Sequence, residues 1–528
     1  MIIKMFIKLP FMCLKTMKEL VFSGDDLLIV DFPQRTRIVY PPNPLSPPFD
    51  VRKTIDHVLN FPLGSDPLQK LVSGNSKVTI AFDDPCIPLP PMRDDPRAYI
   101  IESVLKQLYK VGVKNNNIIL VCANGLHRKW SKKELKNIIG ARIFKEFSPN
   151  KIFCHDAEDP ENIVSLGKTS SGYEVEVNRF VIDSNLTVYI NINWTSMNGG
   201  WKSIVVGLGT YKSIRHHHNP KILEKSPLLN PSHSEMHKIY DKMGEVIEKN
   251  ARIFTIETVL NNDIFHPYLG ALYTKFLQKS HKSSSKLSPL LKFWSSLPKK
   301  FKGKIRSFVK SNYKPIEVNA GNVNAVHKKT LEKLSQQQNV LVEGQSDVLV
   351  IGLPNISPYS VFSSMNPVLV ANLALSYAFN LYQNKPLVKR DGVFIIAQPC
   401  YNIFNKKHHP SYIEFFNKVL KETKDPYEME KSFEEDFATR PTYIQKYRYG
   451  NAFHGVHPFY AWYFGAYALK YLRNVFIAGA KSPKTVKRLG FTPIKSIEKA
   501  VKKAEELKGK DCTITYQFIP PLFACEVK

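Results

Sequence analysis

Apolar residues in this chain gather in short runs that stop abruptly at polar loops, and the stops carry as much information as the runs. Ser76-Lys77-Val78-Thr79-Ile80-Ala81-Phe82 ends at Asp83-Asp84 and enters the proline-rich stretch Pro85-Cys86-Ile87-Pro88-Leu89-Pro90-Pro91. An apolar strand that stops at paired carboxylates reads as the C-terminal end of a buried parallel strand. A helical pattern follows from about Arg97 to Val111. A second run, Asn117 to Ala123, ends in Asn124-Gly125-Leu126-His127-Arg128, and Ser131 with Glu134 three residues on opens another helix with a capping box. Lys151-Ile152-Phe153-Cys154 ends in His155-Asp156, and Leu186 to Ile192 leads into the loop Gly199-Gly200-Trp201-Lys202. Strands alternating with helices predict an α/β fold. Four strand ends then deliver Asp83, Asp84, His127, His155, Asp156 and Lys202 to one edge, where open α/β sheets bind ligands.

Lys202 is the most suggestive of these residues. Two glycines before it let the backbone approach a flat cofactor or a phosphate closely. Sixteen residues after the lysine comes the last histidine of Arg215-His216-His217-His218. An amine for a covalent or ionic link and an imidazole for a transition metal are thus available in one short segment. A surface lysine beside a solvated histidine cluster would give the same spacing, so the pattern gains weight only from the strand ends around it.

Together these motifs resemble the nickel-dependent lactate racemase family. The resemblance rests on Asp83-Asp84 with the prolines after it, Gly125-Leu126-His127-Arg128, His155-Asp156, Leu166-Gly167-Lys168-Thr169 and Gly172 to Asn178. The Gly-Gly-Trp-Lys loop and His218 complete it. The order and spacing agree from about Phe61 to Asn261, and more weakly at Asp347 to Gly352 and Gly455-Val456-His457-Pro458. The resemblance implies two α/β domains with the active site in the cleft between them. It implies nickel held by a pyridinium bisthiocarboxylate mononucleotide, the nickel-pincer nucleotide, with Lys202 as tether, Gly199 and Gly200 beside it, and His218 as metal ligand. His127 falls at the general base, and Asp84 and Arg128 from the same motifs are counted with it as catalytic. The implied activity is racemisation or epimerisation of a 2-hydroxy acid or related secondary alcohol by proton-coupled hydride transfer. The alternative is a relative that kept fold and tether as a cofactor-binding protein or a one-base oxidoreductase.

Departures from the family point to a changed substrate. Ile87 stands where a cation is expected, with Arg93 as possible compensation, and Asn191-Ile192-Asn193 occupies the place of a second histidine. Asparagine hydrogen-bonds but cannot shuttle a proton. Ser357 to Asn366 lacks the glutamine and lysine that contact substrate in the family. His454 and His457 are candidates for facing the cleft, and Cys86 reads as a buried structural thiol.

The 528 residues suit two or three domains, read here as an N-terminal extension (1–16), a racemase-like N-terminal domain (17–262), a basic insertion (271–318) and a C-terminal domain (319–528). The formal charge of +28 is uneven: Lys275 to Lys314 holds twelve Lys or Arg and no Asp or Glu, with Leu290-Leu291-Lys292-Phe293-Trp294 inside it. That stretch is either a solvated insertion or a patch for an anionic membrane surface. No specific nucleic-acid motif accompanies it. The apolar N-terminus is broken by Lys4, Lys8 and Pro10 and does not read as a signal peptide, and Met17 is a possible start. No run approaches the ~18 apolar residues of a membrane span. Seven cysteines without a Cys-x-x-Cys pair fit a reducing cytoplasm. The partners expected are a small hydroxy acid or alcohol and the enzymes that make the cofactor.

Overall fold

The computed structural model describes residues 16–265, 289 and 293–528. The expected N-terminal extension lies almost wholly outside the described residues, as does much of the basic insertion. The described residues form eighteen strands, β1 to β18 in chain order. The fold is α/β, as the alternation of runs predicts.

The first sheet has the order β11-β10-β9-β4-β5-β6, built from β4 (Val78–Asp83), β5 (Ile118–Ala123), β6 (Ile152–Cys154), β9 (Leu186–Asn193), β10 (Ile253–Leu260) and β11 (Pro315–Gly321). All its pairings are parallel except β10 with β11. Every residue of β4 and β9 is buried, because helices cover both faces, and this is why these strands read as unbroken apolar runs. The helix Pro96–Lys110 has Asp95 as its N-cap, and Lys132–Ile139 carries the capping box of Ser131 and Glu134. Their apolar faces join Ile80, Phe82, Leu120 and Ile190 in one core. Because β4 lies between β9 and β5, the strand order reverses there. Ligand crevices of open α/β sheets form at such a switch point.

The second sheet runs β16-β15-β14-β13-β1-β2, from β1 (Thr16–Gly24), β2 (Asp26–Pro33), β13 (Ser346–Pro354), β14 (Val388–Ala397), β15 (Asn474–Ala478) and β16 (Thr492–Ile494). β17 (Ile514–Gln517) pairs with β13 and with β3 (Arg37–Val39). Two small ribbons complete the set: β7 (Ile163–Lys168) with β8 (Glu174–Asn178), and β12 (Asn339–Val342) with β18 (Ala524–Val527).

Sheet membership departs from the expected boundaries. Residues 17–39, expected with the N-terminal domain, pair in the second sheet, and Pro315–Gly321, expected mostly in the insertion, forms an edge of the first. One large core joins the two halves of the chain, from Tyr189 and Trp201 to Tyr359, Tyr460 and Phe523. No helix among the described residues is long and apolar enough to cross a membrane.

Candidate active site

The strand ends of β4, β5 and β9 open into a cavity of about 150 Å3. Its lining includes Asp83, Asp84, Ile87, His127, Gly199, Lys202 and His218 from the first part of the chain, and Tyr359, Tyr377, His457, Tyr460 and Phe464 from the second.

At its floor, His127 Nδ1 lies 2.9 Å from Asp84 Oδ2. The same oxygen accepts the Trp130 indole N–H at 3.1 Å, while Asp84 Oδ1 accepts the Cys86 amide at 3.1 Å. Burial alone would raise the Asp84 carboxyl, but the His127 ring and the Cys86 amide outweigh it and hold the group below its ordinary value. An ionised Asp84 fixes the proton of His127 on Nδ1 and leaves Nε2 with a free lone pair. The His127 ring packs edge-on against Tyr359 and His457, both at 5.3 Å between centroids.

Asp83, the other member of the pair, behaves differently. It accepts from the Ile192 amide (2.7 Å) and the Tyr189 hydroxyl (3.2 Å), and burial pushes its carboxyl up to about 6. Lys202 opens the helix Lys202–Gly207 directly after the Gly-Gly turn, and burial lowers its amine to about 8 despite the two carboxylates. An amine that sheds its proton this readily is fit for nucleophilic attack.

The three consecutive histidines point three ways. His216 is half-buried beside Glu174, at 3.7 Å. His217 is buried against Tyr240. Of the three, only His218 lines the cavity. Its Nδ1 is 2.6 Å from His217 Nδ1, its ring meets Tyr460 and Phe464, and burial lowers it to about 3, so it is neutral near pH 7. A neutral imidazole with one nitrogen engaged and the other available is what a metal ligand requires. Asp84, Cys86 and His127 also place potential ligand atoms within 4.8 Å of one another. That set is a worse metal site: Asp84 and His127 Nδ1 satisfy each other, and burial and Asp84 drive the Cys86 thiol well above its usual range.

Several sequence expectations are corrected. Arg128 does not reach the cavity: its guanidinium is buried, paired to Glu134 at 2.6 Å and stacked on Trp130 at 3.9 Å. The glutamate of the capping box is what draws it away. Gly200 lies outside the lining, and the space beside both glycines belongs to protein. A Cβ on Gly200 would come within 2.7 Å of the His327 ring, and one on Gly199 within 2.4 Å of Asn193 Oδ1 and 2.7 Å of Glu257 Oε1. His155 is buried, bonded to the Gly209 carbonyl (2.9 Å) and the Asn178 amide (3.0 Å), and Asp156 pairs with Lys129 and Arg448. Arg93 is exposed and absent from the lining. His454 is tied to Glu158 at 3.0 Å, whereas His457 faces the cavity with Nδ1 2.6 Å from the Tyr412 hydroxyl.

The sequence reading missed two supports. Arg97 is buried in the first turn of its helix and gathers the carbonyls of Asp83, Asp84 and Ile87 together with the Asp95 carboxylate. An arginine directly after Asp-Pro at a helix start, on the face expected to be buried, was the available signal. Glu257 accepts the Gly200 amide at 2.7 Å and meets His327 Nδ1 at 3.2 Å, pinning the turn from behind.

The comparisons with known proteins agree with this geometry. Residues 24–228 match the lactate racemase N-terminal domain. The chain is 26% identical over 218 residues to the lactate racemase of Lactiplantibacillus plantarum, covering 40% of this chain and 48% of that one. It is 24% identical over 232 residues to the lactate racemase of Thermoanaerobacterium thermosaccharolyticum, covering 43% and 51%. The aligned region thus spans about half the length of these curated relatives. The structure of the lactate racemase apoprotein from Thermoanaerobacterium thermosaccharolyticum shares the fold, with a TM-score of 0.63 at 19% identity over 97% of this chain and 100% of that one. A Thermotoga maritima protein of known crystal structure is similar in fold at a TM-score of 0.51, 15% identity, and 90% and 98% coverage. Residues 24–228 thus resemble the N-terminal domain of lactate racemase, and the chain as a whole shares the lactate racemase fold.

Proposed function

We propose that this chain is a racemase or epimerase of a 2-hydroxy acid or related secondary alcohol, working by proton-coupled hydride transfer with a nickel-pincer nucleotide held on Lys202. The observation that carries the reading is the convergence of the Asp84–His127 pair, the Lys202 amine and the neutral His218 on one cavity.

The residues present fit such a group. Lys202 supplies the linking amine and His218 the metal-binding nitrogen, and the Tyr460 and Phe464 rings exclude water around that imidazole. When bound, the cofactor accepts and returns the Cα hydride. Everything else is work for this chain. His127 Nε2 takes the hydroxyl proton as hydride leaves, and Asp84 stabilises the imidazolium that results. Asp84 stays charged throughout because its backbone and indole donors remain in place. His457 is the second proton carrier, its Nδ1 held by the Tyr412 hydroxyl and its ring beside His127. It takes the part that Asn191 and Asn193 cannot.

Lactate itself is a poor fit. Among the described residues Lys202 is the one Lys or Arg in the lining, so no guanidinium offers a bidentate grip on a small carboxylate. Ile87 also borders an adjacent cavity of about 450 Å3, lined with Met92, Ile138, Phe308 and Phe362 and with the charged Lys133, Glu134 and Lys310. A substrate that extends beyond the reacting carbon uses that space.

The test begins with intact mass and bound nickel after co-expression with cofactor-synthesis enzymes. An adduct lost in Lys202→Ala, and nickel lost in His218→Ala but kept in His216→Ala, are the expected results. The loaded protein is then incubated with chiral 2-hydroxy acids of increasing chain length in deuterated water. Negligible change of lactate and loss of optical purity in a longer member are expected. An unmodified, nickel-free wild type under these conditions would move the assignment to a scaffold that kept the fold without turnover.

A further inference from the structure

The described part of the basic insertion forms a docked helix with an unusual outward face. The helix Lys299–Phe308 is held to the turn between β1 and β2 by its inner side: Lys302 reaches Asp26 at 2.6 Å, Arg306 pairs with Asp25, and the Trp294 indole donates to the Asp25 carbonyl at 2.7 Å. Phe301 and Phe308 are seven residues apart and so share one line along the helix, turned away from Lys302 and Arg306. Both are exposed, at 50% and 74%, and Phe293 beside the helix is 64% exposed. Lys300 and Lys310 flank them in solvent.

A surface helix ordinarily turns its apolar residues inward. Here the charged residues make the inward contacts and three phenylalanines face out among lysines, on a stretch from Lys275 to Lys314 that contains no acidic residue. We propose that this face docks on an anionic phospholipid bilayer. Phenylalanine rings enter the headgroup boundary while the lysines meet lipid phosphates and carboxylates, and neither part alone binds firmly. Charge favours the bilayer over an ordinary protein partner: a chain of net charge +28 approaches an anionic sheet by long-range attraction before any ring inserts. The rings favour it over nucleic acid, since aliphatic Ile305 and Val309 accompany them at half-buried positions where a stacking surface would call for further aromatics. The helix also borders the 450 Å3 cavity through Phe308, Val309 and Lys310, so a docked molecule would turn that opening toward the bilayer.

Sedimentation of the full-length protein with vesicles tests this independently of any catalytic assignment. Binding to phosphatidylserine–phosphatidylcholine vesicles, little binding to phosphatidylcholine alone, and weakening with salt are expected. The Phe301→Ser/Phe308→Ser double variant should lower the partition coefficient about tenfold, with an unchanged melting temperature because both rings are exposed. Lys300→Glu and Lys310→Glu should each lower it about fivefold or more. Failure to bind the anionic vesicles, or binding that the phenylalanine variant leaves intact, overturns the proposal. So does tighter binding of single-stranded RNA that the same variants abolish, or a shift from oligomer to monomer in the phenylalanine variant with vesicle binding unaltered.

Discussion

Two carboxylate–imidazole pairs, one at the C-terminal end of β4 and one between the middle of β10 and the helix Val323–Gln338, differ in everything but their contact. Asp84 meets His127 at 2.9 Å and Glu257 meets His327 at 3.2 Å. In the first pair the carboxylate is anchored by an amide and an indole, and the imidazole keeps one nitrogen on the cavity. In the second the carboxylate is fully buried, grips the Gly200 amide, and the imidazole fills the hollow beside two glycines. Burial would lower His327, yet Glu257 outweighs it and raises the imidazole above its usual value. The same chemical pair thus leaves a free nitrogen on a cavity in one place and clamps backbone in the other. Geometry around the pair decides its use, more than the pair itself.

The comparison breaks most sharply at turnover. His127→Ala should lower kcat by about 10²–10⁴-fold with the fold retained, and Asp84→Asn should follow it. A Glu257→Gln variant losing as much turnover at full thermal stability would erase the distinction between the two pairs. A second effect lies in the amine that the clamp presents. With its pKa near 8 against an ordinary 10.5, Lys202 has on the order of a hundredfold more neutral amine at pH 7 than a surface lysine. Because the value is lowered, reactivity rises as pH passes upward through 8. Acetylation of the cofactor-free protein, followed by peptide mass, should show Lys202 half-maximal near pH 8 and the exposed lysines still climbing there.

Stability separates the pairs in the other direction. His327→Ala leaves the Glu257 carboxylate buried beside a single amide and should cost about 3–5 kcal/mol in denaturant unfolding, whereas His127→Ala should cost much less. Gly200→Ala meets the His327 ring at 2.7 Å with φ at +58°, and should cost about 1–3 kcal/mol while moving the Lys202 loop. The smallest effect belongs to His216→Ala, which faces Glu174 at the surface and should change stability by less than about 0.5 kcal/mol with nickel retention intact.

How far the sequence anticipates this site depends on the range of the contacts involved. Strand ends are local, so β4, β5, β6 and β9 and the residues they present were readable from apolar runs and their stops. The helix capped by Ser131 was readable too, because a capping box is closed within four residues. What closes over long separations was not. Arg128 is a local exception: it follows His127 in the motif, but Trp130 and Glu134, only a few positions on, claim it. Gly199 and Gly200 suggested room for a cofactor, but the room is taken by a histidine more than a hundred positions later. The aromatic run around Tyr460 forms a buried helix that is also a cavity wall, and burial in a core and burial against a ligand leave the same sequence pattern. Nothing in residues 16–39 announced that they belong with strands near the other end of the chain.

That last pairing governs when the molecule can be completed. β3 joins the second sheet through β17, and the Arg37 guanidinium donates to the Thr515 hydroxyl across 478 positions. During synthesis the opening strands therefore emerge first and wait for their neighbours. The first sheet, whose strands all fall between residues 78 and 321, has every partner in hand before β13 to β17 have been made. The tyrosines and His457 that wall the cavity come from the second sheet's half of the chain, so a chain grown only through the first sheet has the Asp84–His127 pair and Lys202 without that wall.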